Sequence, residues 1–300
     1  MREYSLKQVD AFTDEVFGGN PAGVVLDANG LSDREMQNIA REMNLSETAF
    51  ILPSKNADFR IRWFTPEKEV LFCGHATIAS LNCLAEEEKF NMNKNGKFTF
   101  KIETLVGILQ VEVIKSDNVN EIILDAPKIN LVNEKLDKVK IFEALKIDLN
   151  DIDDFHPIMR DKTLDYIYIA LKKLSTLKSI NYDYDKLKAF SREYMIKGFS
   201  LFTMETFDED SVVHSRFFTP FYGITEDPVT GSAQGPLGVY LVLNELVNLY
   251  NNEVEIKSEQ GDIMGRPGRL VIKVVKDGVD YNSKLIARAV TFFDGKILLK

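Results

Sequence analysis

Hydrophobic positions along the chain fall into two kinds of run. Runs rich in β-branched and aromatic residues, the signature of strands, cover residues 59–64, 98–102 and 108–113. Others follow at 166–171, 212–219 and 270–275. Ser32-Asp33-Arg34-Glu35 is a capping-box start for a helix running to about Met43. Residues 183–194 read as an equivalent helix. Two further segments, 76–87 and 233–246, have helical length but are apolar or small on most faces, which predicts helices buried nearly all round. Each half of the chain is therefore expected to wrap strands around one central helix. A strand over 287–293 and a hairpin around Asp294-Gly295 are expected to return to the first half.

The same words occur twice. Arg62-Trp63-Phe64-Thr65-Pro66 recurs 154 residues later as Arg216-Phe217-Phe218-Thr219-Pro220. Gly74-His75-Ala76 and Gly231-Ser232-Ala233 each open an apolar run, at an offset of 157. Upstream, Ala40-Arg41-Glu42 answers Ser191-Arg192-Glu193 at 151; downstream, the segment from Glu103 to Gly107 answers Glu259-Gln260-Gly261. Four matches in one order with drifting offsets read as an old duplication. Two halves of about 150 residues also suit the usual size of a domain.

Composition narrows the function. The 300 residues carry a formal net charge of -9 with no dense Lys/Arg cluster, which argues against a nucleic-acid partner. Cys73 and Cys83 form no disulfide framework, and His75, His156 and His214 do not fall at zinc-ligand spacings relative to them. The first residues lack the apolar core of a signal peptide, and no run approaches the roughly 18 apolar residues that cross a bilayer. A cytoplasmic protein without membrane contact is expected. A dinucleotide fingerprint, a phosphate-binding loop and a G-x-S-x-G elbow are all missing from the sequence.

Candidate chemistry gathers at the two central helix starts, Gly74-His75 and Gly231-Ser232. A helix start offers free N–H groups and partial positive charge, and glycine lets a ligand approach the backbone, so paired starts suit a carboxylate. Glu47 opens an apolar strand. It reads either as an edge carboxylate with its head in water or as a partly desolvated acid/base. Asp227, in Glu226-Asp227-Pro228, reads as a turn residue or a proton carrier. His75 could exchange a proton near neutrality, and Cys73 could be a helix-start thiolate or a small buried hydrophobe. Ser232 could donate a hydrogen bond to a ligand or simply cap its helix.

Taken together, several motifs resemble the PhzF-like family, named for an isomerase of phenazine biosynthesis. They are Val9-Asp10-Ala11-Phe12 with Gly18-Gly19-Asn20-Pro21-Ala22, Met43-Asn44-Leu45-Ser46-Glu47-Thr48, Phe64-Thr65-Pro66, Cys73-Gly74-His75-Ala76 and Asp227-Pro228-Val229-Thr230-Gly231-Ser232-Ala233. The resemblance covers about residues 8–80 and 195–275; residues 116–185 carry no motif of the family.

It implies an α+β, diaminopimelate-epimerase-like fold: two pseudo-symmetric domains, each a curved mixed sheet around a central helix. The expected division is residues 1–117 plus 283–300 against 118–282. It implies Glu47 as main acid/base, with His75, Asp227 and Ser232 beside it in the inter-domain cleft, and Gly74 and Gly231 shaping the helix starts. No cofactor and no metal are implied, and a homodimer is. In related amino-acid epimerases two cysteines act as opposed bases; Cys73 matches the first, and Asp227 is expected to hold the place of the second. The expected activity is a cofactor-independent proton shift on a small carboxylate-bearing metabolite in biosynthesis. The alternatives are an amino-acid racemase or epimerase using Cys73, and a non-catalytic metabolite-binding protein.

Overall fold

The structure, a computed structural model, describes residues 1–117 and 119–300. The chain divides into two compact units, Met1–Asp125 with Ile286–Lys300, and Ala126–Leu285. In chain order the first holds β1 (Arg2–Ala11), β2 (Asn20–Val25), α1 (Asp33–Met43), β3 (Thr48–Leu52), β4 (Phe59–Phe64), β5 (Glu69–Val70), α2 (Gly74–Glu86), β6 (Gly96–Thr104), β7 (Gly107–Lys115) and β8 (Asn120–Asp125). The next elements are β9 (Leu131–Asn133), α3 (Lys138–Leu145), β10 (Met159–Asp161), β11 (Tyr166–Ala170), α4 (Leu174–Ser179), α5 (Tyr184–Glu193), β12 (Gly198–Thr203) and β13 (Val213–Thr219). There follow β14 (Ile224–Asp227), α6 (Gly231–Leu243), β15 (Glu253–Gln260), β16 (Gly268–Asp277), β17 (Asp280–Ala287) and β18 (Ala289–Leu299).

The two units repeat one order of strand pairings. In the first, β1 and β2 are antiparallel, β2 and β3 parallel, β3 and β4 antiparallel, β4 and β6 parallel, and β6 and β7 antiparallel. In the second, β10, β11, β12, β13, β15 and β16 follow with the same senses in the same order. In each, a short strand, β5 or β14, folds back on its neighbour just before the central helix.

The repeat extends to side chains. The amphipathic α1 buries Met36, Ile39 and Ala40, and α5 buries Leu187, Phe190 and Ser191, the same spacing 151 residues on. The capping box of α1 is complete: Ser32 accepts from the amide of Glu35, whose carboxylate accepts from the amide of Ser32. In the first unit α1 packs on Tyr4, Leu6, Val25, Phe50 and Phe64. In the second, α5 shares a larger core with α3, whose Ile141, Phe142 and Leu145 are buried. That layer is drawn largely from the stretch without a motif.

The central helices are covered on all sides. Residues 76 to 85 of α2 are all buried, and α2 touches β1, β2, β3, β7, β8 and β18. Strands from both ends of the sheet reach one helix, so the sheet curves around it. In α6 small residues let strands close in: a Cβ on Gly238 would stand 2.5 Å from Ile272 Cγ2, and one on Gly235 would stand 2.7 Å from Ala126 Cβ. Among the described residues no helix is long and apolar enough to cross a membrane.

The chain end departs from expectation. No hairpin forms at Asp294-Gly295; β18 is one strand of 11 residues, paired with β1 from Ala289 to Leu299. A tight hairpin would need residues at positive φ, whereas Gly295 is not among the positive-φ positions, and its missing Cβ makes room for the ring of Phe293. Lys7 on β1 pairs with Asp294 at 3.1 Å and fixes the register there.

Candidate active site

In the first unit, Glu47, Cys73, Gly74 and His75 come together. Glu47 sits at the mouth of β3; its carbonyl accepts from the amide of Gly23, which ties it to the neighbouring β2. Cys73 is the N-cap residue of α2 and makes no side-chain cap bond, so the helix start keeps its amides for another partner. His75 bridges the group: its Nε2 lies 3.3 Å from Glu47 Oε2, and its Nδ1 lies 3.4 Å from Cys73 Sγ. Burial disfavours the imidazolium and holds the His75 pKa at about 4, so the ring is neutral at pH 7. A neutral ring can donate from Nε2 to Glu47 and accept the Cys73 thiol proton at Nδ1, which makes a three-residue proton relay. A Cβ on Gly74 would meet nothing nearer than the Phe72 ring at 3.9 Å. Packing does not demand glycine there.

In the second unit, Asp227, Thr230, Gly231 and Ser232 come together. Asp227 ends β14, paired with Phe217. Its carboxylate accepts a short hydrogen bond from Thr230 Oγ1, and its carbonyl accepts from Gln260 Nε2 at 2.9 Å. Gln260 in turn accepts from the Thr230 amide and from Gln234, whose side chain also engages Ser215 and Ser258. Gly261, at φ 94°, closes this turn; a Cβ would fall 2.8 Å from the Pro228 carbonyl and 2.2 Å from that of Arg266. Ser232 lies inside the first turn of α6 rather than capping it; the N-cap is Thr230, again without a side-chain cap bond. The Ser232 side chain hydrogen-bonds Tyr166, whose phenol burial pushes up to about 12.

One expectation is corrected by this geometry. Asp227 does not take the place that answers Cys73. The residue capping α6 as Cys73 caps α2 is Thr230, at the same offset of 157 that relates the glycines after them. The offset rises from 154 to 157 between the Phe-Thr-Pro words and the helix starts, and Asp227 ends β14 three residues before the cap.

Both helix starts hang on the same device. Arg62 donates to Glu69 through Nε and Nη2, each at 2.7 Å, and Arg216 donates likewise to Glu226 at 2.8 Å. Each guanidinium also lies over a ring two residues on, Phe64 at 5.1 Å and Phe218 at 4.9 Å. The fork pins β5 or β14 to its neighbour and so aims the loop that delivers the central helix.

Sequence reasoning did not single out Thr230, Gln260, Arg62, Arg216 or Tyr166. The repeat held a signal for the first four, since all stand in or beside matched words; nothing marked Tyr166. Among the described residues two groups could hold a metal ion, Glu47 with Cys73 and His75, and His214 with Glu259 and Asp262. In the second group a cation is already supplied: Arg269 donates to both oxygens of Asp262 at 2.8 and 2.9 Å.

Two α+β units of one topology, each with a buried helix whose start carries the polar side chains, define a diaminopimelate-epimerase-like fold. The phenazine biosynthesis-like protein family matches residues 9–295, and the chain belongs to that family. Its relatives include an uncharacterized isomerase of Clostridium acetobutylicum, 39% identical, with 100% of this chain and 99% of the relative covered. A crystal structure of a Bacillus anthracis phenazine biosynthesis protein of the PhzF family superimposes with a TM-score of 0.90 at 29% identity, over 100% of both chains. At the level of fold alone, the chain is similar to a hydroxyproline epimerase of Agrobacterium vitis (TM-score 0.60, 10% identity, 99% of this chain and 91% of that one).

Proposed function

We propose that the protein is an isomerase that moves a proton on a small carboxylate-bearing metabolite without a cofactor. The observation that carries this reading is the Glu47–His75 contact of 3.3 Å beside the uncapped start of α2. Glu47 takes a proton from carbon and returns it to the same or a neighbouring atom. His75, neutral and in contact with both Glu47 and Cys73, carries protons to and from the carboxylate. Asp227, held by Thr230, is the second proton carrier; Ser232 and the amides at Gly74 and Gly231 hold the substrate carboxylate.

On this reading both helix starts serve one substrate. Their support is the pairing of a carboxylate with an uncapped start in each repeat. The relatives' designation as isomerases supports the reaction class. Cys73, in contact with His75, supports a second reading in which a thiol shares the base role, as in an amino-acid racemase or epimerase. The chain is further proposed to work as a cytoplasmic homodimer. Its two cysteines, both buried and neither in a disulfide, suit a reducing compartment.

The test is a mutant cycle on deuterium uptake across a panel of small carboxylates. If Glu47 and Asp227 act on one reaction, Glu47→Gln with Asp227→Asn should cost far less than the product of the single losses. Strictly multiplicative losses, or uptake by neither parent nor variants, would oppose the reading.

A further inference from the structure

We infer that Glu47, Cys73 and His75 form a binding site for a thiophilic divalent cation, of which Zn2+ is the type, and that the cation silences the site. The donor set is one thiolate, one imidazole and one carboxylate, a combination zinc accepts, with a fourth position open to water or a substrate carboxylate.

The spacing fits. With zinc at about 2.3 Å from sulfur and about 2.0–2.2 Å from nitrogen and oxygen, the edges of a tetrahedron measure about 3.3 to 3.6 Å. His75 Nε2 lies 3.3 Å from Glu47 Oε2 and 3.9 Å from Cys73 Sγ, and all three ligand atoms lie within 4.8 Å of one another. Turning the Cys73 thiol from the Nδ1 side of the ring, where it now lies at 3.4 Å, toward Nε2 would bring the three donors together. The groups are screened without being sealed: the side chains of His75 and Glu47 are 11% and 20% exposed. Their backbone is fixed by β3 and by the first turn of α2, so little ordering is left for the metal to impose.

The electrostatics are favourable on balance. The partial positive charge of the α2 start opposes a cation only weakly. Two anionic ligands, the Glu47 carboxylate and the Cys73 thiolate, would neutralise the ion. The other candidate group differs on this point, because the Arg269 guanidinium occupies the place of the cation beside Glu259 and Asp262.

The consequence for activity rests on the isomerase reading: a carboxylate bound to a metal cannot take a proton. The test does not depend on it. Zn2+ is titrated into the full chain by calorimetry in chelator-free buffer, and Co2+ reports thiolate coordination by its charge-transfer absorption. One equivalent should bind. Cys73→Ser and Cys73→Ala should abolish the charge-transfer band, and these and His75→Gln should each weaken zinc at least about a hundredfold. Asp262→Asn should bind as the parent does. Absence of saturable zinc binding, a band surviving both Cys73 variants, or loss in Asp262→Asn would overturn the assignment. Zinc binding with no proton exchange on any carboxylate would leave this site standing and remove the isomerase; exchange without zinc binding would do the reverse.

Discussion

Thr230 stands in the second unit where Cys73 stands in the first, each the residue before a glycine and each capping a central helix without a side-chain hydrogen bond to the helix amides. A threonine hydroxyl cannot serve as a base near neutral pH, so one helix start carries a thiol and the other does not. The start of α6 thus offers no thiol, and the carboxylate beside it, Asp227, is hydrogen-bonded to Thr230.

That asymmetry sets an expectation for the thiol. If carboxylates carry the proton, Cys73→Ser should keep exchange within about tenfold of the parent, because removal of a true acid/base costs about 10²–10⁴-fold. Deuterium incorporation followed by mass spectrometry checks this. A loss matching that of Glu47→Gln would promote Cys73 to a base.

The arginine forks should differ in energetic weight. Arg216 is more enclosed than Arg62, and its Nη1 also donates to the carbonyls of Leu177 and Ile180. Arg62 spends its Nη1 on Asp33, which is 80% exposed. Arg216→Met leaves Glu226 enclosed without its cation and should cost about 3 kcal/mol, the range for breaking a buried pair. Arg62→Met should cost visibly less. Urea unfolding of both variants measures the difference; equal losses would mean the two forks are equally screened.

Burial of His75 gives stability a pH dependence with a definite sign. The ring holds its pKa at about 4 in the folded protein, against about 6.5 in an unfolded chain. Between those values the unfolded chain binds a proton that the folded one refuses. This contribution is whole above about pH 6.5 and is lost as pH falls toward about 4. His75→Gln should flatten the stability curve across that window. In the parent, the His75 ring resonances should show no inflection between about pH 5.5 and 8.

Much of this was legible in the sequence, because the duplication wrote the same side chains twice. The burial of Met36, Ile39 and Ala40 and of Leu187, Phe190 and Ser191 follows from matched helical spacing. The two central helices announced themselves by being apolar all round. The proximity of Glu47 to His75 was not legible from spacing, since it depends on β3 beginning beside the start of α2. Nor was the answer of Thr230 to Cys73, which needs helix caps to be located rather than motifs aligned by eye. The hairpin at Asp294-Gly295 failed because a turn-like dipeptide can also lie in a strand when a neighbouring ring fills the space beside the glycine. Tyr166 carried no local signal, as its contact with Ser232 joins a strand and a helix far apart in sequence.

The central claim is that Glu47 moves the proton, and one substitution addresses it most directly. Glu47→Gln keeps the shape and removes the basic oxygen. The measurement is the rate of solvent deuterium entering a carboxylate turned over by the parent, read beside the thermal unfolding midpoint of each protein. The expected result is an unchanged midpoint within a few degrees and a rate lower by about 10²–10⁴-fold. Deuterium entering at the parental rate would contradict the claim and move the base elsewhere in the molecule.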